Sequence, residues 1–342
     1  MPSVFSLRPK ELTVSAKPEL RVVAGVLSDS GGRVLVAQRP AGSFMAGCWE
    51  FPGGKLEVDE TEQGALVREL EEELSVTVAG ASPLIRVRHE YEDRIVDLSV
   101  WRVDCFCGEL ENRDGQQLEW RHPDKLTEIP MLPADRPVVT ALRLPDRYWI
   151  TPQETERPSD LIRDLRAALS RDCRLVQLRL PAADSELLET VARTAVEACR
   201  GAGARLLING EPGIVGRVVT AVGADGIHLP SRCLSGRSLR PLSDSLLVAA
   251  SCHDAAELEA ARALGADFAV LGPVKVTASH SGAAPLGWQE FGRLVRLASM
   301  PVYAIGGMRT ADVAGARAAG GQGIAAIRGL WPNMEQSGSV HR

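Results

Sequence analysis

Residues 53–76 read GGKLEVDETEQGALVRELEEELSV, and the spacing inside this stretch decides how the first half of the chain is read. A Gly-Gly turn is followed by Glu60 and then by Arg68-Glu69-Leu70-Glu71-Glu72-Glu73. The pattern predicts a helix over Thr61–Glu73, on which Glu69, Glu72 and Glu73 stand at i, i+3 and i+4 and share one face. Like charges so placed repel, at about 0.2–0.5 kcal/mol per pair. A hard divalent cation removes that cost, because Mg²⁺ takes carboxylate oxygens and shares its shell with water and substrate phosphates. A solvated acidic helix is the plain alternative for a Glu run. The Gly-Gly entry, the spacing to Glu60 and the Arg ahead of the cluster argue against it. Arg68 follows Glu60 by eight residues, about two helical turns, so the two can pair and brace the cluster.

The stretch resembles a Nudix box: Gly, five residues, Glu, seven residues, Arg-Glu, an aliphatic, any residue, Glu-Glu, any residue, Gly, an aliphatic. Gly54, Glu60, Arg68, Glu69, Leu70, Glu72, Glu73 and Val76 fit it in order. Ser75 stands where the family has a Gly that closes the helix in a left-handed conformation. Ser adopts that conformation at some cost, so the departure bears on local stability more than on chemistry. Outside the box, Arg39, Phe44-Met45-Ala46, Trp49-Glu50-Phe51-Pro52-Gly53 and Gly115-Gln116-Gln117-Leu118-Glu119-Trp120 are similar to the MutT-type 8-oxo-dGTP diphosphatases, over nearly all of 20–145.

That resemblance implies that Glu69, Glu72, Glu73 and the carbonyl of Gly53 hold Mg²⁺, with Mn²⁺ as a substitute. It implies that Glu119 approaches the metal from a separate loop, as ligand and base. Arg39 would contact the nucleotide, while Phe44, Phe51, Pro52 and the Glu50–Gly53 backbone line its pocket. The chemistry agrees: breaking a phosphoanhydride requires charge neutralised on the phosphate oxygens and a water lowered in pKa beside them. For Glu119 an ordinary surface carboxylate is the alternative. In the MutT relatives an Asn in Leu-Pro-Pro-Ala-Asn reads the oxidised purine, and the matching stretch here is Met131-Leu132-Pro133-Ala134-Asp135. An ionised Asp only accepts hydrogen bonds. Asp135 either reads the base, protonated or accepting from guanine N1–H and the exocyclic amine, or is the N-cap of the final helix.

With 342 residues the chain is long enough for two domains. Its 45% hydrophobic and 24% charged residues are ordinary for soluble globular protein. A net charge of -5 lacks the electrostatic footprint of a nucleic-acid binder, which excludes a damaged-DNA-binding protein. Seven scattered Cys without a Cys-x-x-Cys pair fit a reducing cytosol; Cys105 and Cys107 share a strand face but have no partners for a metal. The N-terminus is not a secretory signal and no stretch suits a bilayer, so a cytoplasmic location and no membrane partner are expected.

Residues 1–17 are expected to be a flexible N-terminus and 18–145 the Nudix domain, an α/β/α sandwich. Within it, Leu20–Leu27 and Arg33–Arg39 read as a hairpin around Asp29-Ser30-Gly31-Gly32. Strands are expected near Pro83–His89, Ile95–Cys107 and Gln117–Arg121, and a short helix over Ala134–Leu144. Over 146–330 short apolar runs alternate with helical stretches about eight times, at 147–150, 175–178, 205–208, 226–229, 247–250, 268–271, 302–305 and 323–327. That rhythm predicts a (β/α)₈ TIM barrel, with a doubly wound open sheet as the alternative. Residues 331–342 are expected to be a flexible tail.

The second segment resembles thiamine-phosphate synthase and its TenI-type tautomerase relatives over about 147–328. The resemblance rests on Tyr148-Trp149-Ile150-Thr151, Val176-Gln177-Leu178-Arg179, Leu207-Ile208-Asn209, Ala224–Leu229, Ser251-Cys252-His253, Gly272-Pro273 and Ala304-Ile305-Gly306-Gly307. It implies Arg179, Asn209, His253, Gly306 and Gly307 as site residues, the glycines for a phosphate-bearing ligand. Leu180-Pro181, Gly210, Pro230-Ser231-Arg232-Cys233 and Thr277-Ala278-Ser279-His280 depart from the synthase pattern, whose acids and lysines are missing, so synthase activity is not expected. His253 either moves protons or only bonds backbone at its strand end.

The expected function is a Mg²⁺-dependent pyrophosphohydrolase converting 8-oxo-dGTP to 8-oxo-dGMP and diphosphate, which serves DNA replication and repair by cleaning the nucleotide pool. The alternatives are a Nudix hydrolase of a thiamine-pathway diphosphate, and a hydrolase regulated by a non-catalytic, thiamine-phosphate-binding barrel. The oligomeric state, a homo-oligomer included, is open.

Overall fold

A computed structural model describes residues 17–152, 157–236, 239–277 and 284–331. The expected flexible stretch 1–16, the tail 332–342 and Ala278-Ser279-His280 of the barrel loop lie outside the described residues. Lys17, counted with the flexible N-terminus, belongs to the fold: its Nζ donates to Glu90 Oε1 and to the carbonyl of Tyr91.

The first domain is an α/β/α sandwich. Strands β1 (Glu19–Leu27), β4 (Gly53–Lys55), β5 (Thr77–Glu90) and β6 (Ile95–Cys107) form a sheet in the order β4-β1-β6-β5. Strands β2 (Val34–Gln38), β3 (Trp49–Glu50) and β7 (Gln117–Arg121) form a second, in the order β3-β2-β7. The alternation of β1 sets the layering. Val23 and Leu27 pack with Leu66, Leu70 and Leu74 of helix α1 (Glu62–Leu74), whereas Ala24 and Val26 pack with Val138, Val139 and Ala141 of helix α2 (Arg136–Arg143). Gly25 is required on the α1 face, where a Cβ would stand 2.9 Å from Leu70.

The expected hairpin between the first two strands is corrected. β1 pairs with β6 in parallel over nine residues and with β4 antiparallel, while β2 pairs with β3 and β7. Only the Ser28–Val34 bridge and the Asp29 turn link β1 to β2. Period-2 alternation identifies strands but not their partners, and a turn that closes locally can still feed two sheets.

Helix α1 starts where Thr61 accepts the Gly64 N–H at 3.1 Å. It ends at Ser75, whose φ of 59° is left-handed and whose N–H reaches the carbonyls of Leu70 and Glu71. Ser therefore takes the conformation the family gives to Gly, at about 1 kcal/mol. Its hydroxyl donates to Glu111 at 2.9 Å.

The second domain is a closed parallel barrel of eight strands: β8 (Arg147–Ile150), β9 (Leu175–Leu178), β10 (Arg205–Asn209), β11 (Gly226–Leu229), β12 (Leu247–Cys252), β13 (Phe268–Leu271), β14 (Val302–Ile305) and β15 (Gly323–Ala326). Helices α3 (Pro158–Leu169), α4 (Ser185–Gly201), α5 (Pro212–Val222), α6 (Ala255–Ala263), α7 (Gly287–Val295) and α8 (Val313–Ala318) surround it. Tyr148, Leu175, Leu207, Phe268, Val270 and Tyr303 fill the interior. Trp331, expected to open the tail, is instead 1% exposed: its indole donates to the Ile150 carbonyl at 2.7 Å and packs edge-on to Trp149. A lone aromatic beside a polar segment carries no periodicity, so its burial is invisible locally.

The first domain meets the barrel at the N-terminal ends of the strands. Leu144 joins the interior cluster as its floor, Tyr303 Oη donates to the Pro145 carbonyl, and Gln322, ahead of β15, reaches back to α2. The opposite end of the barrel, at the strand C-termini, opens into a cavity. No helix among the described residues is long and apolar enough to cross a membrane.

Candidate active site

The box carboxylates are organised around Arg68. Its guanidinium donates to both oxygens of Glu60 at 3.0 and 2.8 Å, to Glu69 at 2.9 Å, to Glu72 at 3.2 Å and to the Lys55 carbonyl. The expected Glu60–Arg68 brace is thus formed, bidentate. Glu73 lies apart from that network: its carboxylate accepts the Gly53 N–H at 3.1 Å. Burial pushes the Glu73 carboxyl up to about 8, and the charges of Glu69, Asp114 and Glu50 push the same way against the Gly53 bond. Two glycines admit this packing. Gly53, at φ 148°, lies where a Cβ would strike the Val23 carbonyl at 2.2 Å, and Gly54 leaves room for the Glu69 carboxylate, 2.4 Å from where its Cβ would be.

The donor set fits a hard cation: several carboxylates, one of them kept largely protonated at neutral pH by burial and by its acidic neighbours. The side chains as placed do not converge on one point. Among the described residues no group of three or more His, Cys, Asp or Glu is arranged to hold a metal ion. The expected cage of Glu69, Glu72 and Glu73 is therefore not preformed, because Arg68 occupies the oxygens of Glu69 and Glu72.

Glu119 lies within β7, the strand expected over Gln117–Arg121, opposite Val36, and not on the separate loop that the resemblance implies; it pairs with Arg121 at 2.6 Å. The loop carboxylate whose charge reaches Glu73 is Asp114. The segment before it docks on the end of α1, where Glu111 and Arg113 N–H groups donate to the carbonyls of Leu74 and Glu73. Asp114 sits in a polar turn, Asn112-Arg113-Asp114-Gly115, with no spacing to mark it.

A second group of residues forms beside the box. Arg39 donates to Glu50 at 2.5 Å and to the Phe44 carbonyl. Burial raises the Glu50 carboxyl, opposed by Arg39. Asp135 is 3% exposed, and burial, with the Glu50 charge adding to it, holds its carboxyl well above the usual range. Asp135 stands at the N-cap position of α2, but its side chain makes no capping bond there. Tyr91, unremarked in sequence, joins this group: it bonds the Ala134 backbone, feels the charges of Asp135, Arg39 and Glu50, and packs edge-on to Phe44 at 5.2 Å. Arg94 lies 4.5 Å over the other contact of this stack, the Phe44 ring. Pro52 is buried, and Phe51, expected to line the pocket, is 3% exposed within the core beside Trp49 and Met131. A Phe in a strand-and-turn stretch reads alike for core and pocket.

The barrel cavity, about 1330 Å³, brings together Arg179, Asn209, His253, Gly306 and Gly307 as anticipated. Gly306 and Gly307 have positive φ and allow close approach of the 273–276 segment, 2.7 Å from each missing Cβ. His253 bonds Glu257, with Nδ1 at 2.8 Å and its N–H at 2.7 Å, rather than only backbone. Burial and the nearby Arg232 lower the Arg179 guanidinium, and Arg309 and Arg328 line the same cavity, so four arginines border it. Beneath them a buried chain runs from Gln177 to Tyr148 Oη, on to His228 Nδ1 at 3.1 Å, and from Nε2 to Ser251 at 2.8 Å. Burial pushes His228 down to about 3, so this chain is neutral.

The NUDIX domain family matches residues 23–141, and the thiamine monophosphate synthase family matches 147–330. CTP pyrophosphohydrolase of Escherichia coli (strain K12) is 41% identical over 122 residues, 36% of this chain and 90% of its own. 8-oxo-dGTP diphosphatase of Proteus vulgaris is 44% identical over 99 residues, 29% of this chain and 88% of its own. A putative thiamine-phosphate synthase of Geobacter sulfurreducens is 35% identical over 185 residues, 54% and 85% of the respective chains. The chain accordingly belongs to the Nudix family through its first domain, a hydrolase acting on phosphoanhydride bonds, and to the thiamine monophosphate synthase/TenI family through its barrel.

Proposed function

We propose that the first domain is a Mg²⁺-dependent nucleoside triphosphate pyrophosphohydrolase that releases diphosphate and prefers 8-oxo-dGTP. The observation that carries the substrate is Asp135, buried beside the Arg39–Glu50 pair, where burial holds its carboxyl well above the usual range and so favours the protonated form. A neutral carboxylic acid presents one donor and one acceptor side by side. 8-Oxoguanine offers O6 as acceptor next to N7–H as donor. Unmodified guanine offers two acceptors there and is refused one of the two bonds. Cytosine, with N3 beside its exocyclic amine, also matches a neutral acid, and a relative named CTP pyrophosphohydrolase makes CTP the second reading.

Glu69, Glu72 and Glu73, with the Gly53 carbonyl and Asp114, would hold the cation, which when bound neutralises phosphate charge and lowers the pKa of water. Arg68 holds Glu69 beside the Gly54 backbone and pairs with Glu72 one turn further along α1. Glu73 gives up its proton before it binds a cation, so cation affinity rises with pH towards about 8. Burial raises the Glu50 carboxyl and Arg39 opposes it, while Phe44 with Tyr91 offers an aromatic surface to the base. Glu119, held by Arg121, keeps no part in this reading beyond its strand.

For the barrel we propose binding of a phosphate-bearing ligand without synthase chemistry: Arg179 and Arg232 supply charge, while Leu180, Pro181 and Gly210 line the cavity where acids and lysines would serve a synthase. The test is product analysis with Mg²⁺ on 8-oxo-dGTP, dGTP, CTP and thiamine diphosphate. Preference for 8-oxo-dGTP that is lost in Glu72→Gln supports the reading. Preference for CTP moves the substrate to the second reading, and preference for thiamine diphosphate overturns both.

A further inference from the structure

Both segments that carry the base-side residues are held from outside their own domain. The short helix α2 begins next to Asp135 and ends about 12 Å away, at 1.5 Å per residue, on the barrel. A helix C-terminus leaves carbonyls without intrahelical partners. Here barrel side chains take them: Gln322 Nε2 donates to the carbonyls of Ala141 and Leu144, both at 2.9 Å, and Arg205 Nη2 donates to the carbonyl of Arg143 at 2.6 Å. Gln322 is 8% exposed, and Arg205 is a largely buried cation at the negative end of the helix dipole.

The second segment is the end of β5, the edge strand that leads to Tyr91. An edge strand presents unpaired backbone groups. Ser299, in the loop before β14, takes both groups of Arg88: its Oγ accepts the Arg88 N–H at 3.0 Å and donates to the Arg88 carbonyl at 3.2 Å. Ser299 holds this position with a left-handed φ of 49°. Asp135 and Tyr91, the residues at the far ends of these two attachments, lie close together: Tyr91 bonds the backbone of Ala134, the neighbour of Asp135, and its hydroxyl is within electrostatic range of the Asp135 carboxyl.

We propose that the barrel positions the base-reading wall of the nucleotide site, with Gln322 and Arg205 acting on Asp135 through α2 and Ser299 acting on Tyr91 through β5. The inference rests on the pyrophosphohydrolase reading above. Gln322, Arg205 and Ser299 are positioning residues and touch no substrate. At the start of α1 Glu62 pairs with Arg86 of β5 at 3.0 Å, whereas Glu69, Glu72 and Glu73 take their side-chain bonds from Arg68 and Gly53, so the phosphate-side carboxylates are braced separately from the base-side residues. A ligand in the barrel that shifted β14 or β15 would reach the base wall before it reached the Glu cluster.

The test uses the full chain, with Gln322→Leu, Arg205→Met and Ser299→Ala assayed on 8-oxo-dGTP, dGTP and CTP. KM for the preferred nucleotide is expected to rise roughly threefold to tenfold and the preference ratio to shrink, while kcat stays within about twofold. Gln322→Leu in an Asp135→Ala background should cost no further preference, because both changes act on one contact. Ser299→Ala removes two bonds at the edge of the interface and remains informative if either buried variant fails to fold. Wild-type preference and KM in Ser299→Ala and in a folded Gln322→Leu overturn the inference alone, as does a fall in kcat at unchanged KM. A wild type inert towards all three nucleotides overturns the pyrophosphohydrolase reading and takes the inference with it.

Discussion

The two anion-handling regions of this chain are built in opposite ways. The box site concentrates negative charge on one helix, with Glu69, Glu72 and Glu73 inside five residues, and relies on Arg68 and a cation to make it tolerable. The barrel cavity draws single residues from the ends of many strands, Arg179, Asn209 and His253 among them, and is lined with guanidinium charge. A local site of the first kind is written in spacing. A convergent site of the second kind exists only once the barrel has closed.

The comparison breaks most readily at Glu72. Glu72→Gln is expected to lower kcat for nucleoside triphosphates by roughly 10²–10³, in the range seen on removing one electrostatic contact to a transition state, with ligand binding in the barrel unchanged. Loss of barrel binding in the same variant would show that the two regions are one functional unit. Steady-state phosphate release and thermal shift on the same preparation read both sides.

Asp135 sharpens the base side. Asp135→Ala should reduce discrimination between 8-oxo-dGTP and dGTP by about tenfold, or 1.4 kcal/mol, whereas Asp135→Asn keeps a donor beside an acceptor and should retain it. Equal loss in both variants would mean that the acid serves packing rather than reading.

Glu73 gives a test by pH on the chelated, metal-free protein. Its folded carboxyl lies at about 8 against 4.5 for the ordinary group, so between these values the native state binds the extra proton. Stability therefore falls as pH rises from about 4.5 to about 8 and is lowest above that. Glu73→Gln, which cannot ionise, should unfold a few degrees higher than wild type at pH 8.5 and converge with it near pH 4.5. A constant difference across the range would place the effect in packing. The smallest effect is expected in the barrel: Arg179→Ala should weaken the thermal shift given by thiamine phosphate and leave nucleotide hydrolysis within about twofold.

Much of this was legible in the chain. The α1 helix, its Glu60–Arg68 brace and the eight barrel strands follow from periodicity and spacing, since 3.6-residue and 2-residue repeats are set by backbone geometry. The misreadings share a cause. Phe51 and Trp331 are placed by their neighbours in sequence and the loop position of Glu119 by the resemblance, whereas β7 pairing, the second core layer and the indole bond to Ile150 are decisions made across the fold. Asp114 and Tyr91 escaped notice because a loop carboxylate and a strand-end phenol have no pattern until another element arrives beside them.

By itself, then, the amino-acid order determined which helix carries the carboxylates, where the barrel strands fall and that Ser75 must close α1, because each depends on contacts within a few turns or on a regular repeat. Tertiary structure alone decided that Asp135 is buried with its carboxyl raised well above the usual range, that β1 and β2 part into different sheets, and that Gln322, Arg205 and Ser299 bond the end of α2 and the edge of β5. Desolvation and hydrogen bonding between residues more than 170 positions apart, as from Gln322 to Ala141, have no local signature in the chain.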